Sequence, residues 1–214
     1  MTNTNYAKLT SWLVAAWFVF SLAASAMGLF NTATNRPPIA LMLSVLVPIG
    51  SFYFWYAGSD SFREFILSLS PEKLTVVQTW RIAGITFLAL YTYHLLPGIF
   101  ALPAGWGDIL IGATAPLAAY KLANPGHRKT FIAWQLLGIT DLVLAIASGA
   151  LSRSIVPESG SAITTAPMAL LPLSVIPTFG VPLFLILHII CIAQARRWTE
   201  THAPIGERAG SFAE

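Results

Sequence analysis

Charge is scarce in this chain: Asp, Glu, Lys and Arg together make up 10% of its 214 residues, while 56% are hydrophobic. An ordinary soluble domain carries about 25% charged residues, so a water-exposed globule of this length is excluded. Cysteine is nearly missing as well. Cys191 alone cannot form an intrachain disulfide or a multi-cysteine metal site, and inside its apolar run it reads as a small buried hydrophobe. There is no HExxH zinc helix, no phosphate loop and no nucleophile elbow. Gly105-Trp106-Gly107 is a lone Gly-x-Gly that reads as a turn. The sequence therefore assigns no metal and no cofactor.

What the chain does have is apolar length. A transmembrane helix needs about 20 mostly apolar residues, and six such stretches can be drawn: Ser11 to Phe30, Ile39 to Ala57, Leu74 to Leu96, Ala104 to Leu122, Phe131 to Leu151 and Met168 to Ala195. The expected fold is an all-α integral membrane protein, a six-helix transmembrane bundle forming one domain over residues 1–214, with the lipid bilayer as its first partner. Connections this short hold no separate soluble domain. Binding or catalysis then belongs in the bundle or at its two mouths.

The net charge of +3 makes no basic patch, so no nucleic-acid partner is expected. Instead the basic residues sort by side. Lys8, Arg63, Lys73, Lys121, Arg128, Lys129, Arg196, Arg197 and Arg208 fall on one side of a six-span arrangement, and only Arg36 and Arg153 on the other. The positive-inside rule places the richer side, and with it both termini, in the cytoplasm. Lys8, the following apolar run and Ala24-Ser25-Ala26 imitate a cleavable signal, but the run continues to Phe30 and a retained helix is expected.

Local signals divide the spans. Asn35-Arg36-Pro37-Pro38 breaks the first hairpin, because two prolines cannot continue a helix. In the link from Gly58 to Lys73, Phe62, Phe65, Ile66 and Leu69 recur at helical spacing opposite Arg63 and Glu64, the pattern of a helix lying in the headgroup plane. Ser70-Pro71-Glu72 reads as a helix start. Asn124-Pro125-Gly126 turns the fourth span into the fifth, and Ser152 to Pro167 reads as a mobile outer loop. Trp12, Trp55, Trp80, Trp106, Trp134 and Trp198 lie near span ends, where indole rings anchor at an interface. Prolines 167, 172, 177 and 182 forbid an unbroken sixth helix, and a regular helix is expected only from about Pro182 to Arg197.

One internal repeat stands out. Trp80 to Leu90 and Trp134 to Leu144 match at six of eleven positions, including Trp80 with Trp134 and Gly84 with Gly138. Both would run outward from the cytoplasm, which suggests a parallel repeat of helices 3–4 and 5–6. On the third helix the matching face would carry Trp80, Gly84, Phe87, Tyr91 and His94.

Ionisable residues inside a bilayer are costly and default to functional candidates. Asp141 is the foremost, near the middle of the fifth span, facing a polar cavity between the third helix and the broken sixth or else pairing structurally with Arg81. Arg81 either snorkels toward headgroups, binds an anionic group, or is the countercharge of Asp141. His94 and Asp108 flank the Pro97 to Gly107 hairpin and could meet at the outer mouth, unless Asp108 simply caps the fourth helix. His188 is a ligand, a proton carrier or a histidine bonded to a neighbouring helix, and Tyr91 completes the candidate set.

Leu96 to Asp108, Gly138-Ile139-Thr140-Asp141-Leu142 and Leu171 to His188 resemble a group of small bacterial multi-spanning membrane proteins without an assigned activity. The resemblance covers about Trp80 to Arg197 and implies a bacterial cytoplasmic (inner) membrane; it transfers no functional residue. The reading that absorbs most features is transport or binding of a small molecule or ion at an intramembrane polar site. The alternatives are a membrane-embedded enzyme using His94 and Asp108, a haem or quinone redox protein, and an accessory subunit of a membrane complex. For the redox reading, His94 and His188 fall about 20 Å apart along the normal, too far for one haem. Oligomeric state stays open, a homo-oligomer included.

Overall fold

The computed structural model describes residues 3–32, 36–154 and 163–198, and all secondary structure among them is helical. Helix α1 spans Asn3–Ala26 and α2 spans Ile39–Gly58; α3 is the short Asp60–Leu67. The next element starts as α4, Pro71–Val77, tightens into a 3-10 turn over Gln78–Gly84 and relaxes into α5, Ile85–Thr92. Helices α6 (Gly98–Leu122), α7 (Arg128–Ser154) and α8 (Val181–Arg196) follow. Six helical stretches are long and apolar enough to cross a membrane, Pro71–Thr92 counting as one of them.

The element ends follow from local chemistry. Helix α1 stops four residues short of the expected Phe30 because Gly28 adopts φ 72°, letting its N–H and that of Leu29 reach back to the carbonyls of Ser25 and Ala24. Ser70 caps α4 by accepting from the Lys73 N–H at 3.2 Å, as its sequence context predicts. Helix α6 begins at Gly98, six residues before the expected start, and carries Pro103 and Pro116 within it. Pro103 falls in the second turn, where only one backbone bond is lost to it. Residues 155–162 of the loop read as mobile lie outside the described residues, as do Asn35 and Arg208.

Helix α6 is the hub, packed along α4, the 3-10 turn and α5 on one side and along α7 on the other. The close approach depends on missing side chains: a Cβ on Gly112 would come within 2.9 Å of the Arg81 carbonyl carbon, and one on Gly105 within 2.8 Å of Leu88 Cγ. Apolar clusters fill both ends. Phe87, Leu96, Phe100, Ala101, Ala104 and Met168 form one, and Tyr6, Phe62, Phe65, Ile66 and Ile190 another. The apolar face of α3 is therefore covered by the protein itself, with Phe62 stacked on Trp55 at 3.9 Å, rather than turned to a headgroup plane. Trp55 is thereby drawn into the core. Trp12, Trp80 and Trp106 remain exposed.

The proline-rich segment before α8 is broken, as its spacing demands. A π-turn covers Ile176–Gly180 and leads directly into α8. Pro182 has no N–H to give the Thr178 carbonyl four residues back. That oxygen accepts instead from Trp17 Nε1 at 3.2 Å and Ser21 Oγ at 3.4 Å, which ties α1 to the break. Replacing Gly112 with valine should separate α6 from the 3-10 turn, at a cost of about 1–3 kcal/mol for an overpacked site. A thermal melt of the detergent-solubilised variant matching the wild type would show that the close approach is not required.

Candidate functional site

The site originates in the 3-10 turn. With three residues per turn, side chains at i and i+3 eclipse one another. Thr75, Gln78, Arg81, Gly84 and Phe87 accordingly form one buried stripe, while Trp80 is 78% exposed. The inward face expected of a regular helix is only partly right: Gly84 and Phe87 point inward, but Trp80, Tyr91 and His94 do not. The eleven-residue match with Trp134–Leu144 thus spans a 3-10 turn in one copy and continuous α-helix in the other. Arg81 is 2% exposed and does not snorkel.

Four of the five N–H groups of its guanidinium reach partners on three helices. Arg81 Nε donates to Asp108 Oδ1 of α6 at 2.7 Å, and Nη2 donates to Asp141 Oδ2 of α7. Nη1 donates to the Gly138 carbonyl at 3.3 Å and meets His188 Nε2 of α8 at 3.3 Å. A guanidinium has donors only, so Nε2 accepts and the imidazole carries its proton on Nδ1. From there the chain of donors is determinate. Nδ1 donates to Gln135 Oε1, Gln135 Nε2 donates to Thr75 Oγ1 at 3.1 Å, and the Thr75 hydroxyl donates to the Pro71 carbonyl at 2.8 Å. His188, fully buried, is thus committed at both ring nitrogens and fixes the guanidinium in place.

Asp108, Asp141 and His188 each lie in a notch left by a glycine. A Cβ on Gly84 would collide with Asp108 Cβ, one on Gly107 with Asp141 Oδ1, and one on Gly138 with the His188 ring. Formal charge does not balance. With both carboxylates ionised, two negative charges face one guanidinium, and the cluster needs one further positive charge to be neutral. Arg81 takes one oxygen of each carboxylate; Asp108 Oδ2 and Asp141 Oδ1 have no hydrogen bond among the described residues.

Of the residues singled out from sequence, Arg81, Asp108, Asp141 and His188 are brought together, and His94 and Tyr91 are not. His94 sits exposed in the turn after α5 at φ 57°. Asp108 lies ten residues beyond the start of α6, about 15 Å along its axis, so it neither caps that helix nor joins His94. Tyr91 packs its ring over Gly98 at the start of α6. Gln135, Thr75 and Gln78 went unnoticed among the candidates, although the three-residue spacing of Thr75, Gln78, Arg81, Gly84 and Phe87 is visible once a 3-10 period is tried.

Beside the cluster lies a hollow with an inner lobe of about 140 Å³ and an outer lobe of about 150 Å³, whose walls share Phe87, Asp108, Leu142, Ile176 and Val181. The inner lobe is bordered by the third span and the broken segment before α8. Asp108, rather than Asp141, is the carboxylate on its wall, and most of the remaining wall is hydrocarbon. Side-chain exposure grades the cluster in the same direction: 1% for Arg81, 12% for Asp141 and 14% for Asp108.

Fold and site define a class: an all-helical protein with six helices long and apolar enough to span a membrane, built around a buried two-carboxylate, one-guanidinium cluster. Residues 37–196 match the model of a domain of unknown function, DUF8737, and the chain belongs to that family. Helix α1 precedes the match. No curated protein and no solved structure matches the chain.

Arg81→Gln should be the most destabilising change in the cluster, since removing one partner of a buried ion pair costs about 3–5 kcal/mol. Asp141→Asn should cost much less, because Arg81 keeps Asp108 and an amide oxygen still accepts. Denaturation of the two variants in the same detergent makes the comparison, and an equal loss in both would contradict this division of roles.

Proposed function

We propose that this protein is a multi-pass component of a bacterial cytoplasmic membrane that binds and carries a small molecule or ion at the Asp108–Arg81–Asp141 cluster. The observation that carries the reading is the unbalanced charge beside a cavity. In a purely structural role the second buried carboxylate would satisfy one more guanidinium N–H, but it would leave a negative charge whose desolvation no second cation offsets. A site that exchanges a positive charge requires that surplus. The break before α8 supports the same reading, because carriers place substrate sites where a helix is interrupted near mid-membrane and irregular backbone lines a cavity.

Neutralising either carboxylate removes the surplus. Native mass spectrometry of protein released from lipid nanodiscs should show a small-molecule or cation adduct on the wild type that is lost from both Asp108→Asn and Asp141→Asn, with melting temperatures within a few degrees of one another. A variant that melts lower yet stays loaded would make the carboxylates scaffold and remove the basis of the proposal.

Orientation follows from the nine-to-two division of basic residues, with both termini in the cytoplasm. Reporter fusions after Ala123 and after Arg197 should both give cytoplasmic signals. A periplasmic signal at either position would overturn the topology.

A further inference from the structure

The cavity wall narrows the class of ligand, given the binding reading above on which this inference rests. Three features bear on it. The carboxylate on the wall is Asp108, which lines both lobes and whose Oδ2 is not used by Arg81. The compensating guanidinium, with a side chain 1% exposed, belongs to a residue that borders the inner lobe and not the outer, so a molecule in the outer lobe meets Asp108 and not Arg81. Apart from Arg153 and Thr165 the rest of the outer lobe is apolar: Phe30, Leu41, Met42, Val45, Phe100 and Ile146 are among its walls.

An inorganic cation is poorly served here. It needs several oxygen ligands to replace its water, and among the described residues no group of three His, Cys, Asp or Glu side chains is placed to hold one. An anion in the outer lobe would meet the Asp108 carboxylate and not Arg81. Arg153, the one basic side chain on the outer lobe, donates to the Arg36 carbonyl at 3.4 Å and stands twelve residues, about 18 Å, along α7 from Asp141. The outer lobe, at about 150 Å³, has room for one benzene-sized body.

We infer that the cavity takes a compact lipophilic monocation, an ammonium carried on an apolar body of about one ring, with the ammonium on Asp108 and the body in the outer lobe. The ion pair with Asp108 supplies the positive charge that the cluster lacks, and desolvation of the apolar part supplies affinity without directional contacts. The other charged or titratable groups near Asp108 are already committed: Arg81 to both carboxylates, Asp141 to Arg81, and His188 to Arg81 and Gln135.

Three probes of nearly equal shape test the inference on the full chain in detergent at neutral pH: 2-phenylethylamine, 2-phenylethanol and phenylacetate. Calorimetric titration should give the amine an affinity at least tenfold above the alcohol, no measurable binding of phenylacetate, and loss of the amine's advantage in Asp108→Asn. Alcohol or phenylacetate binding as tightly as the amine would overturn the monocation while leaving a ligand-binding cavity intact. Failure of all three probes, with a neutral or anionic adduct on the native protein, would also discard the monocation alone. Failure of all three with no adduct would discard the binding reading itself. The comparison among probes is made on the wild type, so it stands even if Asp108→Asn does not fold.

Discussion

A guanidinium with 1% of its side chain exposed must find a partner for nearly every N–H, and the middle of this bundle is organised around that requirement. Arg81 reaches α6 through Asp108, α7 through Asp141 and the Gly138 carbonyl, and α8 through His188. No regular helix through Gln78–Gly84 would bring Thr75, Gln78, Arg81 and Gly84 onto one line, so the local tightening to three residues per turn belongs to the same solution. The glycine notches at 84, 107 and 138 complete it. Each admits a polar side chain at a depth where a methyl group would collide.

Two kinds of information are encoded differently in this chain. Span number and approximate position follow from apolar run length, a summed property that tolerates local error, and the six expected stretches correspond to six helices of spanning length. The identity of the buried ionisable residues was equally legible, because scarcity marks them: Arg81, Asp108, Asp141 and His188 stand out in an alphabet with few charges. Their pairing was not. Proximity along the chain suggested His94 with Asp108 across a hairpin, but α6 starts at Gly98 and carries Asp108 deep into the bundle. Pro97 to Gly107 has the composition of a turn, but Pro103 early in a helix is tolerable and Gly105 and Gly107 serve packing.

The 3-10 turn was missed for a related reason. Helical periodicity is usually tried at 3.6 residues, and at that period Trp80, Gly84, Phe87 and Tyr91 make a reasonable inward face. Only a trial at three residues aligns Thr75, Gln78, Arg81, Gly84 and Phe87. The break before α8 was the opposite case. Four prolines at intervals of five leave no regular alternative, and the π-turn at Ile176–Gly180 falls among them.

The carbonyl of Thr178 has a bearing on how the molecule is made. It is freed by Pro182 and reclaimed by Trp17 and Ser21, residues about 160 positions earlier in the chain. A ribosome delivers those two donors well before their acceptor, so α1 has to wait, without a competing contact at Trp17 and Ser21, until the sixth stretch arrives. The contact that joins α1 to the break before α8 thus forms only after the five stretches before that break have been made, and it closes the bundle on itself.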